Sequence, residues 1–275
     1  MTHTTLMVNC ELGQSNTPVL TVARDLAARF DMRVVGIAVA QPIQIMYGDY
    51  YISSEGAEED IKEVETRLAH AEEEFRTALA SRAEHVSWRA ATVYASTATH
   101  VATESRSADL IVTGSQAATT HGGQRHLNTG DLVLQSGRPV VIVPAAPCMT
   151  QFDHILIAWK DAREARRAVL DALPLLKKAA RVTVVEIAAE TDLPETRTRL
   201  ADLASWLQAQ GILAETMAVQ SSGYDAKSLG SIAQRLNADL VVAGAYGHSR
   251  LREWAFGGFT SELMQPTSRC SFVSH

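Results

Sequence analysis

Three glycines stand closest to chemistry in this chain. Gly244, Gly247 and Gly257 fall in ADLVVAGAYGHSRLREWAFGGFT (238–260), directly after the apolar run Leu240-Val241-Val242-Ala243. Their order is glycine, two residues, glycine, nine residues, then the pair Gly257-Gly258. A buried strand feeding a glycine-studded loop and then a helix brings backbone N–H groups onto a phosphate. Glycine suits such a loop because it reaches positive φ and lets an anion approach where a Cβ would stand. A ligand-free glycine-rich connection would share the first two glycines. The preceding strand, the third glycine and the helix expected after it favour phosphate.

Other chemistry has less to stand on. There is no Gly-x4-Gly-Lys-(Ser/Thr) loop, no Gly-x-Ser-x-Gly elbow, no His-Glu-x-x-His and no Gly-x-Gly-x-x-Gly after the first strand. Asp239 precedes its strand and so belongs at the sheet end opposite the glycine loop, away from any phosphate. No catalytic set is expected. His121 and His126 lie five apart with no third ligand, so no metal site is expected. Cys10, Cys148 and Cys270 are far apart and form no C-x-x-C, which reads as small buried hydrophobes without a disulfide framework.

The elements that must position the glycines repeat. SADLIVTGS (107–115) and NADLVVAGA (237–245) align 130 residues apart, RVVGIAV (33–39) and RVTVVEI (181–187) 148 apart, and LMV (6–8) and ILI (155–157) 149 apart. The first copy carries about 18 extra residues within QPIQIMYGDYYISSEGAEED (41–60). Each copy reads strand, amphipathic helix, β-branched strand, long charged helix (roughly 57–82 and 194–210), short strand (near 85–94 and 212–220), helix (96–107 and 225–237), then the Ala-Asp-Leu strand. Pro194 suits the opening turn of its helix and Gly211 its stop. Near-continuous apolar strands alternating with helices imply an α/β fold, a parallel sheet covered on both faces. Ligands of such sheets bind beyond the carboxyl ends of the strands. PAAPCMTQ (144–151) is the natural linker, which divides the chain into domains 1–147 and 151–275.

Bulk properties bound the partners. With 275 residues, two domains are expected. A net charge of −6 argues against sequence-independent nucleic-acid binding. No apolar run approaches a membrane span and no secretory leader is visible, so a soluble cytoplasmic protein is expected.

The 238–260 segment resembles the ATP-binding signature of the universal stress protein family, Gly-x2-Gly-x9-Gly-(Ser/Thr), and ILIAWKDAREARRAVLDALPLL (155–176) resembles that family's opening strand and helix. The duplicated order covers nearly the whole chain, so the sequence looks like a tandem member. The resemblance implies a five-stranded parallel sheet in each half, with the halves paired as a pseudo-dimer, commonly through their final strands. It also implies that Ala158, Trp159 and Lys160 border the adenine, that Ile187 packs on the base, and that Ala243, Gly244 and Gly247 border ribose and the first phosphates. Gly257, Gly258, Phe259 and Thr260 would hold the outer phosphates. His248, Arg250 and Arg252, within the nine-residue spacer, either neutralise phosphate charge or belong to a solvated loop.

Three departures qualify the match. Lys160 replaces the usual acid or asparagine, with a one-residue shift to Asp161 as one way to replace it and outright loss of the acid as the other; Gly258 replaces a hydroxyl-bearing residue; Cys270 replaces a proline. Losing one hydrogen bond to a charged group costs about 1.5–3 kcal/mol, weakening rather than abolishing binding. In the first copy Ala117 and His126 stand where glycines are required, so its cradle is expected to be lost. The expected ligand is ATP or a related adenine nucleotide, with or without Mg²⁺, in the C-terminal domain only. The expected role is stress-response regulation through a nucleotide-dependent loop or interface change. A non-nucleotide scaffold and a slow ATPase are the alternatives, and a homodimer or an unknown protein partner stays open.

Overall fold

The computed structural model describes residues 3–42, 54–115, 127–245 and 269–275. The first half runs β1 (Thr5–Asn9), α1 (Thr17–Phe30), β2 (Arg33–Ala40), α2 (Ser54–Ala78), β3 (Val86–Thr92), α3 (Thr97–Glu104), β4 (Leu110–Gly114), α4 (Thr129–Ser136) and β5 (Val140–Val143). The second runs β6 (His154–Trp159), α5 (Arg163–Leu176), β7 (Arg181–Ala188), α6 (Leu193–Ala209), β8 (Ala214–Gln220), α7 (Asp225–Arg235), β9 (Leu240–Gly244) and β10 (Cys270–Ser274). The charged helix of the first half begins and ends earlier than its sequence pattern suggests, and a 3-10 turn over Ala80–His85 follows it. Part of the 41–60 insertion, including Tyr47, Tyr50 and Tyr51, lies outside the described residues.

The two expected five-stranded sheets are one ten-stranded sheet, in the order β3-β2-β1-β4-β5-β10-β9-β6-β7-β8. Every neighbouring pair is parallel except β5 and β10, which meet antiparallel with Phe272 opposite Val141. That order is a palindrome of the two halves, so a pseudo-twofold axis passes between β5 and β10. The central strands β1, β4, β5 and β10 are buried at all or all but one of their residues, as a sheet covered on both faces requires, whereas the edge strands β3 and β8 are largely half-buried or exposed.

One face carries a single continuous core. It takes side chains from α1, α2, α5 and α6 and includes Val141 and Phe272, so it runs straight across the axis. The opposite face is divided into a cluster under α3 and α4 and another under α7. On the continuous side the ends of α1 and α5 exchange equivalent contacts: the Arg29 guanidinium donates to the Lys178 carbonyl and the Lys178 ammonium to the Arg29 carbonyl. These residues are 149 apart, the offset of the repeat, so the contact is self-complementary in the way of a twofold dimer. Lys178 Nζ also sits 4.4 Å over the Phe30 ring.

The repeated Ala-Asp-Leu motif has a structural role in both halves. The Asp109 carboxylate accepts from the Thr4 and Thr5 backbone N–H groups at 2.8 and 3.0 Å. Asp239 accepts from those of Asp153 and His154 at 2.7 and 3.3 Å. Each aspartate ties the start of its half's first strand to the strand beside it, at the sheet end opposite the glycine loop, where the sequence reading puts Asp239. Pro194 falls in the first turn of α6, and Gly211 follows that helix at φ +82°. No helix among the described residues is long and apolar enough to cross a membrane.

Candidate functional site

The strands that should present a ligand are β6, β7 and β9, adjacent in the order β9-β6-β7. β6 lies between the other two because the chain crosses over to either side of it, and the carboxyl ends of strands at such a crossover form the usual crevice of α/β sheets. The register puts Ala158 beside Ala243 on one side and beside Val185 on the other. Ile187, two residues beyond Val185, points to the same face. Ala158 and Ile187 pack against the α7 cluster. Ala158, Ala243 and Ile187 therefore share one face at the carboxyl ends of these strands.

Trp159 is turned the other way. Its indole packs against the continuous core, beside Glu186 on the neighbouring strand. Trp159 Nε1 and Glu186 Oε2 are buried without a hydrogen-bond partner among the described residues. Glu186 Oε1 accepts from Arg199 Nη2 of α6 at 3.0 Å, and Arg199 also reaches Glu195 at 3.0 Å. Bonding to Glu186 holds the Arg199 guanidinium above its ordinary pKa. Lys160 is exposed, and its carbonyl accepts from the Ala162 N–H at 2.6 Å in the turn into α5. Asp161 is engaged by Arg166 in a surface ion pair.

Gly244 has a packing reason independent of any ligand. A Cβ there would stand 2.4 Å from the Glu164 carbonyl carbon and 2.5 Å from the Ala165 nitrogen. The first turn of α5 thus lies directly against the end of β9, a closeness only glycine permits. Its counterpart Gly114 is under no such constraint, with only Val19 Cγ2 near, at 3.6 Å. Gly247, His248, Arg250, Arg252, Gly257, Gly258, Phe259 and Thr260, like His121, His126 and Ala117, lie outside the described residues.

The register also reveals a difference between the halves that sequence reasoning missed. Asn9 and Thr113 occupy the first-half positions of Ala158 and Ala243. Asn9 Nδ2 donates to Thr113 Oγ1 and to Glu11 Oε1, both at 3.2 Å. Asn16 extends the group: it accepts from the Glu11 N–H at 2.8 Å and donates to Glu74 Oε2 at 2.9 Å. Where the second half has two methyl groups, the first has a buried polar plug. Aligning the copies at offsets of 149 and 130 would have exposed the exchange.

A groove of about 470 Å³ opens farther out on the α7 face, between α7 and the edge strand β8, lined by Val219, Ser222, Tyr224, Lys227, Ile232 and Arg235. It contains none of the sequence-predicted residues. Among the described residues no group of three or more His, Cys, Asp or Glu could hold a metal ion. The arrangement sets small apolar side chains at the carboxyl ends of β6, β7 and β9, beside the start of the glycine-rich segment.

No protein-family model and no curated protein matches this chain. Solved structures do. A universal stress protein from Archaeoglobus fulgidus DSM 4304 superposes with a TM-score of 0.74 at 16% identity, covering 98% of this chain and 95% of its own. A functionally unknown protein from Pseudomonas aeruginosa PAO1 gives 0.63 at 15% identity, covering 99% and 92%. A candidate universal stress protein from Pseudomonas aeruginosa UCBPP-PA14 gives 0.62 at 15%, covering 99% and 93%. The full-length match and the palindromic sheet together give this chain the fold of a tandem universal stress protein.

Proposed function

We propose that this protein is a stress-response regulator that binds ATP or a related adenine nucleotide in its second half. Ala158, Ile187 and Ala243 take the base and ribose, with Lys160 at the rim and Trp159 contributing backbone. Gly244 and Gly247 border the first phosphates, and Gly257, Gly258, Phe259 and Thr260 hold the outer ones. His248 and Arg250 neutralise charge.

The observation that carries this reading is the exchange of Asn9–Thr113 for Ala158–Ala243 at equivalent register positions. An asparagine–threonine pair fills its own hydrogen bonds and occupies the crevice, whereas two alanines leave an apolar floor on which a ring can lie. The half with the two alanines is also the half that keeps the Gly-x2-Gly-x9-Gly spacing. Both features favour one site in the second half. Function then follows from differential affinity: nucleotide that binds one loop arrangement more tightly shifts the protein toward it and alters the surface offered to a partner.

Calorimetric titration of ATP with Mg²⁺ into wild type and Gly247→Val tests the proposal. Micromolar binding by wild type, lost in a folded variant, is expected. No binding by folded wild type would favour the scaffold reading, and turnover that the variant loses would favour a slow ATPase.

A further inference from the structure

Cys148 and Cys270 lie 122 residues apart in sequence, yet their Sγ atoms are 3.5 Å apart. The sequence reading, which expects three isolated thiols, is corrected here for two of them. The fold brings them together for a simple reason. β5 and β10 are antiparallel, so the carboxyl end of β5 lies beside the start of β10. The linker that leaves β5 therefore passes Cys270 before turning into β6. Phe152 fixes its far end, buried with φ +50°, and Thr150 Oγ1 donates to Asp25 Oδ2 at 2.5 Å.

We propose that Cys148 and Cys270 form an oxidation site whose co-reactant is a low-molecular-weight disulfide and whose product is an intramolecular disulfide latching the linker to the final strand. The two thiols are unequal. Cys148 is half-buried, and the hydrogen bond from Cys270 holds its thiol below the ordinary range although burial opposes this. Cys270 is fully buried, and its bond to Cys148 together with burial holds its thiol well above that range. Cys148 is thus the attacking sulfur and Cys270 the resolving one. The Cys148 thiolate attacks one sulfur of the small disulfide, forming a mixed disulfide and expelling the other sulfur as thiolate. Cys270 then gives up its proton and attacks the Cys148 sulfur, forming the internal bond and expelling the second thiolate. The protein loses two protons and two electrons, and the small disulfide is reduced to two thiols. Cys10 serves as the internal control: it is buried, and burial drives its thiol far up.

The latch would enclose residues 148–270, all of the second half but its last five residues, in one covalent loop, which constrains the unfolded chain and raises the melting temperature. The test is incubation of the reduced full-length protein with oxidised glutathione, followed by thiol counting after denaturation and non-reducing peptide mass analysis. Loss of two of three thiols is expected, with a Cys148–Cys270 linked peptide, Cys10 still free and an upward shift of the thermal midpoint reversed by reductant. Cys270→Ala should instead accumulate a mixed disulfide at Cys148, and Cys148→Ala should stay unmodified. Three free thiols in wild type would overturn the proposal, as would linkage only between two chains or a mixed disulfide that persists at Cys148 in wild type.

Discussion

Gly244→Ala is a sharp test of the packing at the candidate site. The added methyl would meet Glu164 C at 2.4 Å, Ala165 N at 2.5 Å and Glu164 O at 2.7 Å. All three are backbone atoms of the first turn of α5, so no side-chain rotation relieves the clash. Either α5 moves off the end of β9 or the strand end yields. Overpacking of this kind costs about 1–3 kcal/mol, and a rigid backbone neighbour puts this site at the upper end. A chain of this size loses roughly 2–4 °C per kcal/mol, so the expected fall in midpoint, for a cost of about 2–3 kcal/mol, is about 4–12 °C. The control is Gly114→Ala in the other half, where the methyl meets only Val19 Cγ2 at ordinary contact distance, 3.6 Å. That change restricts the unfolded chain and should be neutral or stabilising by about 0.4–1 kcal/mol. Thermal and urea unfolding of both variants, followed by circular dichroism, measures the contrast. Equal midpoints for the two variants would refute the argument that Gly244 exists for a close helix approach.

Three further outcomes follow from the same structure. Because one core and one sheet run across the pseudo-twofold axis, wild type should unfold in a single transition, and Phe272→Ala, at the axis, should cost about 3–5 kcal/mol; two separate calorimetric peaks in wild type would contradict this. Burial works to raise the Asp109 pKa, but its bonds from Thr4 and Thr5 outweigh it and the folded value is lowered. Asp109 therefore adds stability above the ordinary aspartate range near pH ~4, and that contribution is lost as pH falls through the folded value; Asp109→Asn should cost about 1.5–3 kcal/mol at neutral pH and flatten the acid limb of a stability–pH curve. Replacing Asn9 and Thr113 together by alanine should leave the fold intact, since the pair is removed as a unit rather than orphaned; a large loss of stability would show that the plug is structural cement.

Much of this architecture was legible because its signals are periodic. The 130- and 149-residue offsets, the apolar strands and the Pro194 and Gly211 boundaries all report local chemistry, and the structure places elements at those positions. What was illegible depends on which strands become neighbours. The family resemblance implied that the halves pair through their final strands, but nothing in Val141 or Phe272 themselves says that they meet antiparallel within one ten-stranded sheet. Trp159 reads as a site residue by position, yet the pleat sends its side chain into the core beside Glu186. Gly244 reads as phosphate chemistry, whereas its immediate constraint is the backbone of α5. The Cys148–Cys270 pair was invisible because it needs the antiparallel junction to exist first.

The central claim is that the second half holds a nucleotide because its crevice floor is Ala158 and Ala243 rather than an Asn–Thr pair. The direct test grafts the plug, titrating ATP with Mg²⁺ into wild type and into the double variant Ala158→Asn, Ala243→Thr. The account predicts micromolar binding by wild type and none by a double variant that keeps its fold. Equal binding by both proteins, or none by wild type, would contradict it.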